Sequence, residues 1–284
     1  YRRDAGPSAP VRRLGHRAAA HRGIVECGEG DLTVEPRESQ GSFDNLAGVA
    51  GSRKGKITFK TDLGWSGTGV PSWASVLLPG CGYVASSQVF TPRSEAPGTN
   101  VKTLTIGTFT DGVLKMLAGA VGTFKLVFPS GKMAYAEWEY QGVWQPPTDE
   151  TLIAPTYPTD LPVRFAGATT TYNSVAQCMA TLTFDAANEI VMRECPNTVG
   201  GFESALIVGR KPMLTMDPEA QLVADEDRNG YWLAGSEYAF SASVPGPAGS
   251  SSDAALVLAA PKAQITKLAE ADRDGLVTDE VELS

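Results

Sequence analysis

The stretch Thr123-Phe124-Lys125-Leu126-Val127-Phe128-Pro129-Ser130-Gly131-Lys132-Met133-Ala134-Tyr135-Ala136-Glu137-Trp138-Glu139-Tyr140 decides the fold class. Phe124, Leu126 and Phe128 recur every second residue, the spacing that puts successive side chains on opposite faces of a strand. Pro129-Ser130-Gly131 has turn chemistry. Beyond it Ala134, Ala136, Trp138 and Tyr140 share one face and Tyr135, Glu137 and Glu139 the other. Two alternating runs across a short turn predict an antiparallel hairpin with one buried face. Trp138 on that face is read as core rather than as a sugar-stacking residue.

The same period extends outward in both directions. Ile57, Phe59, Thr61 and Leu63 alternate with Lys56, Thr58, Lys60 and Asp62, and further strands are predicted at 101–109, 178–185, 188–194, 204–209, 212–217, 238–244 and 255–259. Asp111-Gly112 and Asn229-Gly230 are strong hairpin signals, because both turn positions must accept positive φ. A helix is predicted at 71–78, with Pro71 in its first turn and Gly80 or Gly82 at its stop, and a second near Lys262–Glu270. Stretches 141–162 and 245–252 are read as loops. The expected fold is mainly β: an antiparallel sandwich or barrel with one short flanking helix and long hairpins, a single domain over 26–284 preceded by an extended arm over 1–25.

Charge separates arm from body. The 284 residues carry 24 Lys+Arg and 32 Asp+Glu, a net of −8. Residues 1–22 hold six arginines (Arg2, Arg3, Arg12, Arg13, Arg17, Arg22) against Asp4, which is +5, so the remainder carries −8 − 5 = −13. Glu270, Asp272, Asp274, Asp279, Glu280 and Glu282 gather near the end around a single Arg273. An acidic body repels nucleic acid, whose affinity comes mostly from Lys and Arg on phosphate. No apolar run approaches the roughly 18 residues of a membrane helix, so no membrane span is expected.

Motifs for catalysis fail one by one. Gly64-Trp65-Ser66-Gly67 lacks the spacing of a nucleophile elbow, and Gly55-Lys56 lacks a phosphate loop's first glycine. The two histidines, His16 and His21, lie in the basic arm. Cys27, Cys81, Cys178 and Cys195 form no C-x-x-C pair and read as reduced thiols of a cytosolically assembled protein, with a Cys178–Cys195 disulfide left open. Asp225–Gly230 and Glu270–Gly275 have the outline of calcium loops, but Ser236 and Val281 stand where the bidentate Glu belongs, so both are read as acidic turns. No catalytic, cofactor-binding or metal residue is assigned, and the chain is expected not to be an enzyme.

The order of local strings resembles the major tail tube proteins of long, flexible-tailed bacteriophages. The strings are Gly55-Lys56-Ile57-Thr58-Phe59; Pro71-x-Trp73-x-x-x-Leu77-Leu78 leading to Gly80-Cys81-Gly82-Tyr83; Val101-x-Thr103-Leu104-Thr105-Ile106 with Phe109-x-Asp111-Gly112; and Gly119-Ala120-Val121-Gly122-Thr123-Phe124. They continue through Gly131-Lys132, Gly142-x-Trp144-x-Pro146-Pro147, Arg210-Lys211-Pro212 with Asp217-Pro218-Glu219, and Ala260-Pro261-Lys262-Ala263-Gln264 with Asp272-Arg273-Asp274-Gly275. The match covers roughly 50–284, and the basic arm falls outside it.

The resemblance implies a structural virion protein of the phage tail, assembled in the host cytoplasm. Six copies would form a ring, and rings would stack into a tube for DNA ejection, with hairpins 101–128 and 123–144 joining neighbours edge to edge. Lumen acids would repel the passing duplex, and the basic arm would meet an acidic patch on the next ring. Tape measure, terminator and distal-tail proteins are the other implied partners. A distal-tail or baseplate ring of the same fold and a glycan- or receptor-binding β-domain are the alternatives.

Overall fold

A computed structural model of the chain describes residues 20–21, 25–27, 51–66, 68–93, 102–154, 160–247 and 255–284. In chain order the strands are β1 (Ala20–His21), β2 (Val25–Cys27), β3 (Lys54–Asp62), β4 (Tyr83–Ser86), β5 (Val89–Pro92), β6 (Leu104–Thr110), β7 (Val113–Pro129), β8 (Tyr135–Asp149) and β9 (Thr169–Tyr172). They continue with β10 (Val175–Ala176), β11 (Met179–Asp185), β12 (Asn188–Glu194), β13 (Phe202–Arg210), β14 (Met213–Pro218), β15 (Glu237–Pro245), β16 (Ala255–Arg273) and β17 (Leu276–Leu283). Two helices, α1 (Ser72–Gly80) and α2 (Arg228–Ala234), complete the described elements. The fold is mainly β and antiparallel, as the hairpin at 123–140 predicts.

One sheet runs in the order β1-β3-β8-β7-β11-β14-β17-β16-β15-β9-β10, with β2 also on β3 and β6 also on β7. The hairpin anchors it: Phe124 lies opposite Trp138 and Leu126 opposite Ala136, and both pairs face inward. The long β16 joins two sections. Its residues Ala255–Gln264 pair with β15 and Ile265–Arg273 with β17, with a register shift between Ile265 and Lys267 at the change of partner. Buried side chains from both sections, Leu182, Met216 and Phe128 from one, Tyr172, Phe240 and Ala263 from the other, belong to one hydrophobic core.

Helix α1 rests on this core through Trp73, Ala74 and Leu78. The Trp73 indole N–H donates to the Gly64 carbonyl at 3.0 Å. Pro71 is the N-cap residue rather than part of the first turn. Its extended backbone starts the helix without a side-chain cap bond, and its fixed φ suits that position.

Three expectations are overturned. Lys262–Glu270 is strand within β16, not helix, because β17 and β15 supply backbone partners on its two sides and Ala263 and Ile265 face the core. Asn229-Gly230 is not a hairpin turn but the start of α2: the Asp227 carboxylate accepts the Gly230 N–H at 2.7 Å, and Gly235 closes the helix with a left-handed φ of 61°. The supposed loop 141–162 begins as strand, since β8 runs on to Asp149 along β7.

Of the arm expected over 1–25, only 20–21 and 25 are described, and they extend as strand along the edge of β3, Ala20 opposite Thr61 and Val25 opposite Ile57. The expected loop 245–252 lies mostly outside the described residues. Among the described residues, no helix is long and apolar enough to cross a membrane.

Candidate assembly surface

The hairpin of the sheet continues past its neighbours as a three-stranded ribbon. β7 has 17 residues and β8 has 15. β3 accompanies β8 only as far as Val143, opposite Lys54, and β11 accompanies β7 only over Lys125–Pro129. Beyond those points β7 pairs with the end of β8 on one side and with β6 on the other. The outer edges of β6 and of the last part of β8 have no partner strand among the described residues. Pro146 and Pro147 fall on that part of β8. They lack an N–H for a ladder, so they suit an edge, and the register shifts there between Leu114 and Met116. The β6–β7 turn is Asp111 (φ 47°) and Gly112 (φ 84°), the positive-φ pair the sequence predicts.

A second ribbon, β12–β13, sits against β7 and β8 without joining their ladder. Asn188 fixes its base: the side-chain amide donates to the Cys81 and Gly122 carbonyls, each at 2.8 Å, while its backbone N–H donates to Thr123 Oγ1. Arg210 ties the other strand by donating to the Arg93 carbonyl at 2.9 Å, its guanidinium over the Tyr83 ring. The far end is held where the Arg53 N–H donates to the Gly200 carbonyl at 2.8 Å. Phe202 and Ala205 face inward, whereas Val191, Leu206 and Val208 stay exposed, Val191 directly opposite Leu206. Reasoning from sequence missed this outward apolar face. Its signal is the unbroken apolar runs Ile190–Met192 and Ala205–Val208, which offer both faces of a strand something to bury.

Three sets of charged residues stand out. On the polar face of the central strands Lys56 pairs with Glu139 at 2.7 Å, Lys60 with Glu137, and Lys125 with Asp185 at 3.2 Å. This face neutralises itself, and each exposed pair adds little to stability. The Glu137 and Glu139 of the opening stretch are therefore cross-strand partners of lysines.

The second group is buried. Arg228 donates through Nε to Glu226 at 2.8 Å, through Nη1 to Asp279 at 2.6 Å and the Glu219 carbonyl at 3.1 Å, and through Nη2 to Gln177 Oε1 at 2.8 Å. Gln177 in turn donates to Glu226 at 2.9 Å. Every charged group in this cluster is matched, as burial requires. A related clasp holds the bulge of β11. Asp217 accepts the N–H groups of Ala180 and Thr181 at 3.0 and 2.7 Å and takes Arg273 at 3.0 Å, while Arg273 also reaches Glu219 at 3.1 Å.

The third group consists of Asp225, Glu270, Asp272 and Asp274, which have no Lys or Arg within salt-bridge distance among the described residues. Glu270 even lies directly opposite Asp279 on the neighbouring strand, a like-charge pair relieved by Arg228 behind Asp279. Asp272–Gly275 is a tight turn, with Asp274 and Gly275 at φ 54° and 85°. In the other acidic string Glu226 is committed to Arg228 and Asp227 caps α2, so the outline of a calcium loop dissolves into a cap and a buried ion pair. Among the described residues no group of three His, Cys, Asp or Glu is placed to hold a metal ion.

Of the five tryptophans only Trp232 is exposed; Trp73 and Trp138 are buried. Cys81, Cys178 and Cys195 are free thiols, so Cys178 and Cys195 are not bridged. Burial pushes the Cys81 thiol up to about 12, against a smaller opposing contribution from its hydrogen bond with the Tyr140 hydroxyl. No protein-family model matches the chain, and no curated protein is significantly similar to it.

Proposed function

We propose that this chain is a structural virion protein whose copies join edge to edge into rings that stack as the tail tube of a long-tailed bacteriophage, a conduit for DNA ejection. The observation that carries the reading is the β6–β7–β8 ribbon, whose two outer strand edges have no partner among the described residues. Open edges template association with another chain, and closing a ring removes the hazard. Residues 104–144 of the described ribbon fall within the two hairpins, 101–128 and 123–144, expected to join neighbours. Hexameric rings, tape measure, terminator and distal-tail partners, and assembly in the host cytoplasm belong to the same proposal.

The acids fit it in a particular way. Carboxylates without a cationic partner repel phosphate within about 8 Å at physiological ionic strength, so a duplex slides past them without counterion-release binding. The paired Glu137 and Glu139 contribute little to such a field.

Negative-stain microscopy of the purified chain tests the reading. Stacked rings or tubes are expected. Single rings that never stack replace the tube with a distal-tail or baseplate component, and particles that stay monomeric at high concentration overturn both. The exposed Trp232 favours a second reading, a glycan-binding β-domain. Quenching of Trp232 fluorescence by a glycan, with no rings in the micrographs, would put that reading first.

A further inference from the structure

We propose that the acid-rimmed apolar surface formed by residues 222–223 and 276–277 docks the N-terminal segment, residues 1–19, of a second copy of this chain. The proposal rests on the reading that copies of the chain assemble.

The surface is built from two adjoining segments. The Ala220 N–H donates to the Val277 carbonyl at 3.0 Å, and Glu219 forms an isolated bridge with Thr278. The loop after β14 is thereby held beside the β16–β17 turn. Leu222, Val223, Leu276 and Val277 are 74, 68, 53 and 62% exposed, the state of an apolar surface awaiting a cover. Its support is firm, because the Arg228 and Arg273 clusters pin both segments from behind.

The rim selects the occupant. Residues 217–228 and 270–282 hold five and six acids against one arginine each, and Lys267 pairs with Glu280 and Glu282, so the net charge is 3 − 11 = −8. Both arginines are spent on internal pairs. Two such surfaces repel one another, so a like-to-like contact is disfavoured and a cationic segment with apolar side chains is required. Residues 1–19 carry Arg2, Arg3, Arg12, Arg13 and Arg17 against Asp4, a net of +4, with Val11 and Leu14 flanking the Arg12-Arg13 pair.

Reach is sufficient. The segment leads out from Ala20, which is paired with Thr61 on β3. Nineteen extended residues span up to about 60 Å. That distance is enough to leave the molecule and meet a neighbour.

Charge swaps in the full-length chain test the inference. One variant carries Arg12→Glu, Arg13→Glu and Arg17→Glu; the other carries Glu270→Lys, Asp272→Lys and Asp274→Lys. Glu270, Asp272 and Asp274 are exposed and lie outside the described ion clusters, and unchanged circular dichroism and urea unfolding confirm that each variant folds. Self-association, followed by sedimentation velocity at physiological ionic strength, is expected to weaken about tenfold or more in either variant alone and to weaken with added salt in the unaltered chain. Mixing the two variants is expected to restore part of it, because the unaltered segment of the rim variant meets the unaltered rim of the segment variant.

Unchanged association in both variants overturns the inference. So does a mixture that associates no better than either variant alone, because the native segment of one copy then does not engage the native rim of another. Microscopy keeps this result separate from the functional reading. Rings that form normally in both variants remove the docking site and leave the tube, whereas recovery on mixing without rings keeps the docking site and removes the tube.

Discussion

Trp138 shows how one side chain secures several elements. Its ring packs against Phe124 and Trp73, and its indole N–H donates to Thr61 Oγ1 at 2.8 Å, tying β8, β7, α1 and β3 together. Trp138→Phe keeps most of the apolar contact but leaves the buried Thr61 hydroxyl without this donor, and should lower unfolding stability by about 1–3 kcal/mol in urea titrations. Gly122 is fixed by space. An added Cβ would lie 2.6 Å from the Glu139 carbonyl oxygen and from the Tyr140 ring, and the backbone atom cannot swing away. Gly122→Ala is expected to cost about 1–3 kcal/mol. Arg228 is the most consequential residue, since Arg228→Met leaves the carboxylate of Glu226 buried without its cation. A loss of about 3–5 kcal/mol should appear as a lower urea midpoint, and adding Glu226→Gln should recover part of it; failure to recover would mean that packing, not charge, is at stake.

At the scale of elements, helix α2 depends on its ends, because seven residues are too few to be stable through propensity alone. Asp227→Ala removes the cap bond to Gly230 and should cost about 1 kcal/mol, measured as a urea midpoint shift. The same element marks where sequence reading stops. Asn229-Gly230 has hairpin chemistry, but Asp227 claims the Gly230 N–H and Gly235 offers the left-handed stop, and those two signals lie outside the dipeptide. In β16 the run Lys262–Glu270 is rich in good helix formers, and tertiary pairing overrides that local preference. β8 runs on through Pro146-Pro147 because β7 accompanies it there and the register absorbs the prolines. What was legible was local: the alternation at 57–63 and 123–140, the Asp111-Gly112 turn and the short helix around Trp73. Pairings between distant segments, such as β11 beside β7 or Arg228 against Asp279, had no local signal. The candidate assembly surface was half legible: the long hairpins were, but the outward face of β12–β13 and the partnerless acids needed coordinates.

At the scale of the whole molecule, burial makes stability fall in alkali. Burial raises Cys81, Tyr83 and Tyr172 to about 12 each, with Arg210 opposing the rise at Tyr83, and raises Tyr140 well above its ordinary value near 10. The folded chain therefore keeps these protons after the unfolded chain has begun to release its own, from about pH 9 for the thiol and about 10 for the phenols. Their contribution is fully present below about pH 9 and is lost as pH rises toward about 12. Urea midpoints should be flat up to that lower limit and then decline, and a midpoint that rises across the window would contradict the assignment. The position of β17 carries a consequence for biosynthesis. Among the described strands it is the last to leave the ribosome, yet it lies mid-path between β14 and β16, where it joins the two sections of the sheet. A nascent chain can form its first hairpins early, but the two sections cannot be bridged until residue 283 has emerged. The core that supports any contact between copies is thus completed only after translation has passed that point, and chains halted earlier would expose an open gap in the sheet.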